Sequence, residues 1–323
     1  MTDNTIDHMD FEADEGPKTS ITIWALIAAS GAFLIARLYC KLTRKRRLWW
    51  DDYVLVISWI FLLASGCTVQ WCLTRGTGKH IYAVPPSNLS GVALMLNVTG
   101  TLSILAAVWS KTSFALTLLR LLEGRMRAFV WFVIVSCNVV MGLSALFGWV
   151  RCSPPSKTWN VNEQGKCWEP HVYVNFGMFA AGYSAAMDFV LAMLPWKIIW
   201  KMRMSRREKF GVAIAMSMGV FAGVTAMVKV IKIPTMASAD FTYYVTGLMM
   251  WGTAESAVTI MAASIPVLRT LFLGCTMMSG KTNTSVTVDD LNHLSMPVYA
   301  GEGTPGGVAE SEPVVRKPEP SSG

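Results

Sequence analysis

The sequence predicts an all-α protein, a seven-transmembrane helix bundle with its N-terminus outside and a disordered cytoplasmic tail. Three observations lead to this prediction. Of the 323 residues, 53% are hydrophobic and only 15% are charged, whereas a soluble globular domain carries about 25% charged residues. Apolar runs long enough to cross a bilayer as helices recur seven times. Lysine and arginine concentrate in alternate connecting segments.

Each predicted span is an apolar stretch bounded by charged or turn-forming residues. The seven stretches cover approximately residues 20–40, 53–74, 91–119, 128–150, 171–195, 210–231 and 242–265. The third is longer than the hydrocarbon core requires, so we expect it to tilt or to extend beyond the lipid. This composition excludes a soluble enzyme and a secreted disulfide scaffold.

The distribution of basic residues predicts the orientation. The connections after spans one, three and five carry 14 lysines and arginines, and those after spans two, four and six carry six. The positive-inside rule places the first set in the cytoplasm and the N-terminus outside. Residues 1–18 agree, because they hold six acidic side chains and one lysine. They contain no apolar run, so we expect no cleavable signal peptide.

Three regions follow from this pattern. Residues 1–18 are predicted to be an acidic extracellular tail, residues 19–272 the membrane domain, and residues 273–323 a disordered cytoplasmic tail rich in Ser, Thr, Gly and Pro. The net charge of +7 is spread between apolar segments and forms no single patch. We therefore expect membrane lipids and not a nucleic acid as partners. The membrane is the plasma membrane or an endomembrane.

A disulfide bond is expected in the second outer loop. Cys152 and Cys167 both lie there, in an oxidising compartment if the protein follows the secretory route. A bond between them would close a loop of about 15 residues and stabilise the fold by about 3 kcal/mol. Cys72, near the outer end of the second span, is the alternative partner that the sequence leaves open.

Glu255, in the seventh span, is the foremost candidate site residue, because an ionisable group inside a membrane is costly and marks function by default. Trp251 and Thr259 lie one turn before and after it on the same face. Glu255 is expected to contact a ligand, carry a proton or act as a general acid; a helix-packing hydrogen bond is the structural alternative. We expect a neutral carboxyl unless Lys111 or another cation reaches it, and Lys111 is expected to lie too near the cytoplasmic face.

Asp188 and Lys111 complete the candidate ligand-binding set. Both lie in the cytoplasmic halves of their spans, where a mutual ion pair would lower the desolvation penalty. Lys229 and Arg37 lie near span ends, and their side chains are expected to extend to the interface. Asp51 and Asp52 open the second span, where carboxylates favour the positive end of the helix dipole. They follow Trp49 and Trp50, which suit the interfacial aromatic belt.

No cofactor or metal is predicted. The seventh span contains no lysine between residues 242 and 268, so the amine that a retinal Schiff base needs is not in the expected place. No cysteine and histidine spacing matches a zinc site. The HExxH, GxSxG and P-loop motifs are not present either, which removes common hydrolase and nucleotide chemistries.

Seven ordered motifs extend over approximately residues 21–272. They are RLYCKLTRKRRLWWDDYVLVISW, GTGKH from Gly76, KTSFALTLLRL from Lys111, CSPPSKTW with Cys167, Asp188 with Pro195 and the basic stretch to Lys209, Asp240-Phe241-Thr242, and Trp251 and Glu255 with Pro266 and Arg269. Together they resemble the fungal rhodopsin-like domain family of seven-helix integral membrane proteins. The resemblance implies the fold and topology more than an activity. Members generally lack the retinal lysine. Relatives include receptor-like proteins, and others encoded among secondary-metabolite genes.

Two functions are compatible with these observations. The first is a receptor-like protein in which an apolar small molecule enters between the helices and the basic loop Lys197–Lys209 contacts a cytoplasmic partner. The alternative is a membrane-bound cyclase or isomerase of natural-product biosynthesis that uses Glu255 as acid or base. The alternative explanation of the basic loop is that its charges only set the orientation in the membrane and contact no partner. A transporter finds no support, because the hydrophobic segments show no inverted repeat.

Overall fold

The computed structural model describes residues 15–43, 48–79, 85–120, 122, 124–160, 163–201, 206–234 and 241–279. Within them the protein is built from seven α-helices and one short hairpin, whose strands are joined by a segment that contains the 3-10 turn Pro155–Thr158. The helices are α1 Gly16–Thr43, α2 Trp50–Thr74, α3 Pro86–Leu119, α4 Arg125–Val150, α5 Pro170–Lys201, α6 Arg206–Lys232 and α7 Phe241–Ser279. Each predicted span lies inside one of these helices. The all-α seven-helix bundle is confirmed.

Six of the seven described helices are long and apolar enough to cross a membrane. The exception is α6, Arg206–Lys232, which begins with four consecutive charged residues and carries two lysines in its last turn. Its middle is rich in Ala and Gly, which contribute less hydrophobicity than Leu or Ile. Small residues instead allow close helix packing, and α6 packs against α5.

The chain divides into two compact units, residues 1–275 and 276–323. The first unit contains the helices up to Cys275 in α7. Of the second, the structure describes residues 276–279, which are helical. The predicted acidic tail lies outside the described residues up to position 14, and the predicted disordered tail lies outside them from position 280 onward.

Consecutive helices pack side by side from α1 to α6, and α3 also contacts α5. The contact between α1 and α2 shows which residues allow neighbouring helices to pack closely. Leu55, Leu62 and Val69 recur every seven residues along α2, and all three are fully buried. Gly66 lies between them, where an added Cβ would come within 2.4 Å of the Ile27 side chain of α1. Glycine at this position leaves room for the Ile27 side chain, and small residues at helix contacts are typical of membrane bundles.

The segment after α2 joins the starts of α1 and α7. Gly78 has a positive φ of 102°, which favours glycine. Its N–H donates to the carbonyl of Thr242 at 3.0 Å, and its carbonyl accepts from the N–H of Glu15 at 3.4 Å. A Cβ at Gly78 would also lie 3.1 Å from the backbone nitrogen of Gly16. These contacts hold the ends of three helices together.

A two-stranded hairpin follows α4. Strand β1, Cys152–Ser153, pairs antiparallel with β2, Lys166–Cys167, and Cys152 lies directly opposite Cys167. Their sulfur atoms are bonded. The expected disulfide is therefore confirmed, and the alternative partner Cys72 is a buried free thiol.

The orientation remains a prediction, and glycosylation mapping tests it. We expect an Asn-X-Thr acceptor placed within residues 1–15 to be modified in the secretory pathway and one placed near residue 300 to stay unmodified, because only the outer side meets the glycosylation machinery. The measurement is the mobility shift that a glycosidase removes. Modification of the C-terminal acceptor alone would reverse the orientation.

Candidate functional site

Four charged side chains from four helices meet in the interior of the bundle. They are Lys111 of α3, Asp188 of α5, Lys229 of α6 and Glu255 of α7, and we call them the central charge cluster. Lys111, Asp188 and Glu255 are buried, and the Lys229 side chain is 13% exposed. Two ammonium groups face two carboxylates, so the formal charges balance. Balance and close pairing are what make buried charges tolerable in a medium of low dielectric.

Lys111 is the centre of this cluster. Its Nζ donates to Oε1 of Glu255 at 2.6 Å and to Oδ2 of Asp188 at 2.8 Å. Its further acceptors are the side-chain hydroxyl of Ser184 and, at 3.3 Å, the Ser184 carbonyl. An ammonium group has three N–H bonds, and these acceptors occupy all of them. The pairing of Lys111 with Asp188 that the sequence suggested is therefore present.

Both carboxylate oxygens of Glu255 are occupied. Oε1 accepts from Lys111 and, at 3.1 Å, from the hydroxyl of Ser184, while Oε2 accepts from the ammonium group of Lys229. This is the arrangement of an ion pair. The expectation that Lys111 lies too far away to reach Glu255 was wrong, so the condition set for a neutral carboxyl is not met.

The expectation overestimated the difference in membrane depth between Lys111 and Glu255 and did not allow for the length of the lysine side chain. In the predicted spans, Lys111 lies eight residues from the cytoplasmic end and Glu255 ten, a difference of about 3 Å along a helix. The long lysine side chain covers that difference. The expectation that Lys229 extends to the interface was also wrong, because its side chain turns inward to Glu255.

Trp251 and Thr259, the predicted neighbours of Glu255 on α7, do not contact its carboxylate through hydrogen bonds. Trp251 is partly exposed, and its indole makes no hydrogen bond within the described part of the chain. The hydroxyl of Thr259 donates at 2.8 Å to the backbone carbonyl of Glu255, not to its carboxylate. Sequence reasoning missed Ser184, although its position four residues before Asp188 places both on one face of α5.

A second group of charges connects α1, α2 and α3. We call Arg37, Lys41, Asp51, Asp52 and Arg120 the terminal charge cluster. Arg37 is fully buried and donates from Nη2 to Asp51 at 2.6 Å and from Nε to Asp52 at 2.9 Å. Lys41 contacts both oxygens of Asp52, at 2.7 and 2.6 Å. Arg120 pairs with Asp51. The expectation that Arg37 extends to the interface was wrong, because α2 presents two carboxylates to it.

Helix α7 contacts both clusters. Pro266 lies within α7 and lacks the N–H that would donate to the carbonyl of Ala262. The adjacent carbonyl, that of Ala263, accepts from Nη1 of Arg37. Glu255 and Ala263 are eight residues apart, about 12 Å along the helix. One helix therefore carries a contact to each charge cluster.

The sequence profile of the fungal rhodopsin domain matches residues 36–274, a range that includes all nine residues of the two clusters. The chain belongs to the fungal rhodopsin domain family. It is a membrane protein of this family, and the resemblance noted in the sequence is confirmed.

Three curated relatives show how far the similarity extends. The chain is 28% identical over 119 residues to "Fugralins biosynthesis cluster protein 2" of Gibberella zeae, covering 36% of this chain and 29% of that protein. It is 25% identical over 203 residues to a "SAT4 family membrane protein" of Emericella nidulans, covering 61% and 50%. It is 22% identical over 270 residues to "Polyenoic acids biosynthesis gene cluster protein Ba17b" of Metarhizium anisopliae, covering 76% and 71%. The matched region spans half or less of the first two relatives.

The family name suggests retinal, and the described residues do not fit it. Helix α7 contains no lysine, and the two lysines of the central charge cluster, on α3 and α6, are ion-paired with carboxylates. A Schiff base to either lysine would separate it from these partners. Among the described residues there is also no group of three or more His, Cys, Asp or Glu side chains that could hold a metal ion.

A small cavity adjoins the central charge cluster. It is lined by Lys111, Thr112 and Cys137 together with apolar side chains of α3, α4 and α5, and has a volume of about 10 Å³. This is room for about one water molecule. A larger molecule would have to separate these helices to enter there.

The basic segment Lys197–Lys209, predicted to contact a cytoplasmic partner, is described in its backbone only, and not at residues 202–205. Its backbone is helical at Lys197–Lys201 in α5 and again from Arg206 in α6. Residues 202–205 and the side chains of the whole segment are not described.

Proposed function

We propose that this protein is a receptor-like membrane protein whose resting conformation is held by the central charge cluster. A small apolar molecule that enters between α3, α5, α6 and α7 shifts the bundle to a second arrangement. The observation that carries the proposal is the meeting of Lys111, Asp188, Lys229 and Glu255, which joins four helices through one buried ionic network.

The chemistry of the cluster supports a two-state bundle. Moving one helix by a few ångströms separates at least one charge pair, and an unpaired charge is costly in the membrane interior. Intermediate positions are therefore disfavoured, and the helices exchange between discrete arrangements. A ligand drives such an exchange only if it binds one arrangement better than the other.

Helix α7 is suited to carry the change along the bundle. Glu255 binds the central charge cluster, and the Ala263 carbonyl binds Arg37 of the terminal charge cluster. Because both contacts lie on one helix about 12 Å apart, rotation of α7 at Glu255 also disturbs its contact with Arg37.

The alternative function is an enzyme of natural-product biosynthesis. It is favoured by the names of two relatives, which refer to biosynthesis clusters. The geometry of Glu255 argues against its proposed part as a general acid. Two ammonium groups and a hydroxyl already donate to its oxygens, so it has no proton positioned for a substrate.

Gene deletion with metabolite profiling distinguishes the two functions. We expect deletion to change the amount of secondary metabolites that the organism makes, and membranes containing the protein to leave every accumulated compound unconverted. Complementation with Glu255→Gln should fail at equal membrane abundance. Complementation with the exposed Glu169→Gln should succeed. Conversion of an accumulated compound by these membranes would establish an enzyme, and an unchanged profile would exclude a role in such a pathway.

A further inference from the structure

The terminal charge cluster carries more positive than negative charge. Arg37, Lys41 and Arg120 face only Asp51 and Asp52. Within the described residues no third carboxylate contacts these cations. The central charge cluster, in contrast, is balanced. An excess positive charge beside the hydrocarbon core favours binding of an anion.

The excess is accessible at Arg120. The side chains of Arg37 and Lys41 are 0% and 7% exposed, whereas that of Arg120 is 39% exposed. Its guanidinium stacks over the ring of Trp49, with its carbon 4.6 Å from the ring centroid. Stacking restricts the plane of the guanidinium, and its contact with Asp51 uses only part of its five N–H donors.

The surrounding side chains place Arg120 at the depth of lipid headgroups. Trp49 is 57% exposed and Trp50 is 80% exposed, and both lie at the start of α2. Exposed tryptophans at a helix end are typical of the membrane interface. The positive-inside rule assigns this end of the bundle to the cytoplasmic side, where anionic phospholipids concentrate.

We propose that Arg120 and Trp49 form a binding site for the headgroup of an anionic phospholipid. The guanidinium donates to the phosphate oxygens, for which its planar fork is well suited. The Trp49 ring packs against the glycerol and the first acyl carbons. The lipid supplies the negative charge that the terminal charge cluster lacks. This inference goes beyond the proposed receptor function and does not depend on it.

The test measures which lipids the protein retains. The full chain is reconstituted in nanodiscs of equal parts phosphatidylserine and phosphatidylcholine and extracted in mild detergent, and the bound lipids are counted by native mass spectrometry. We expect the wild type to retain phosphatidylserine about five-fold over phosphatidylcholine, the preference expected for one basic residue near an anionic surface. Arg120→Gln should lose this preference, and Arg120→Lys, which keeps the charge at the site, should retain part of it.

Arg151 provides a matched control. It lies just after α4, and its guanidinium carbon is 5.0 Å from the centroid of the Tyr173 ring, a similar arginine–aromatic pair away from the terminal charge cluster. Arg151→Gln should keep the wild-type preference. Equal loss in both Gln variants would reduce the effect to unspecific attraction and overturn the site. Displacement of phosphatidylserine by millimolar inorganic phosphate would also overturn the lipid site, because it would assign the site to free phosphate. If Arg120→Gln fails to fold, Arg120→Lys decides instead. Equal retention of phosphatidylserine and phosphatidylcholine by this variant would also overturn the proposed site.

Discussion

Replacing Glu255 by glutamine is expected to destabilise the folded bundle by about 3–5 kcal/mol, because it leaves two buried ammonium groups with a single carboxylate. Glutamine keeps the size of the side chain but replaces one acceptor oxygen by an NH2 donor, so the variant removes the charge and one hydrogen-bond acceptor together. In a thermal unfolding scan of the protein in nanodiscs, this loss should lower Tm by roughly 10 °C. An unchanged Tm would show that the central charge cluster does not hold the helices together.

A compensating variant separates charge balance from lost hydrogen bonds. Lys229→Gln combined with Glu255→Gln removes one charge of each sign and leaves Lys111 paired with Asp188. We expect the double variant to be more stable than Glu255→Gln alone by about 1–3 kcal/mol, the range of coupling between residues in one network. The control is Glu169→Gln, whose side chain is 76% exposed. It should change stability by less than about 0.5 kcal/mol.

Replacing Arg37 by methionine is expected to have a comparable effect, about 3–5 kcal/mol, for a different reason. The guanidinium donates to Asp51 and Asp52 of α2 and to the Ala263 carbonyl of α7. Methionine fills part of the volume but leaves all three acceptors without this donor. Amide hydrogen exchange should increase in α7 around Ala263, since the contact to α1 is lost.

Two further variants test this explanation. Arg37→Lys keeps the charge but not the planar fork, so it should recover only part of the lost stability. Arg75→Met serves as the control, because Arg75 is exposed and its guanidinium lies over the ring of Trp71. Its expected effect is below about 1 kcal/mol. If Arg37→Lys matched the wild type, charge alone would explain the cluster and the three-acceptor geometry would be unimportant.

These two predictions concern the same helix. Glu255 and Ala263 connect α7 to different charge clusters. If α7 is the moving element of a receptor, weakening either contact changes the equilibrium between the two arrangements of the bundle. A variant that remains folded but is constitutively active would then be expected at Glu255, or at Arg37, which contacts the Ala263 carbonyl, more than on the lipid-facing side of α4.

Much of the fold follows from the sequence because it depends on local properties. Apolar length alone placed all seven helices, and each predicted span lies inside an observed one. The disulfide between Cys152 and Cys167 could also be predicted from the sequence, because a short loop in one compartment brings the two cysteines together. The four residues of the central charge cluster, and Arg37 of the terminal charge cluster, were recognisable as unusual because they lie within predicted spans, where a charge is costly. Lys41, Asp51, Asp52 and Arg120 lie just outside the spans, so the sequence marked them only as ordinary charges near span ends.

The partners of those charges depended on the tertiary structure. Glu255 and Lys111 are 144 residues apart, and Glu255 and Lys229 are 26 apart on successive helices. Whether they meet depends on the rotation, tilt and axial position of each helix, which result from packing of whole helix surfaces and not from any local pattern. The sequence by itself therefore determined that the bundle contains buried charges. Only the packing of α3, α5, α6 and α7 decided which of them pair, because a shift of a few ångströms in any helix would separate them.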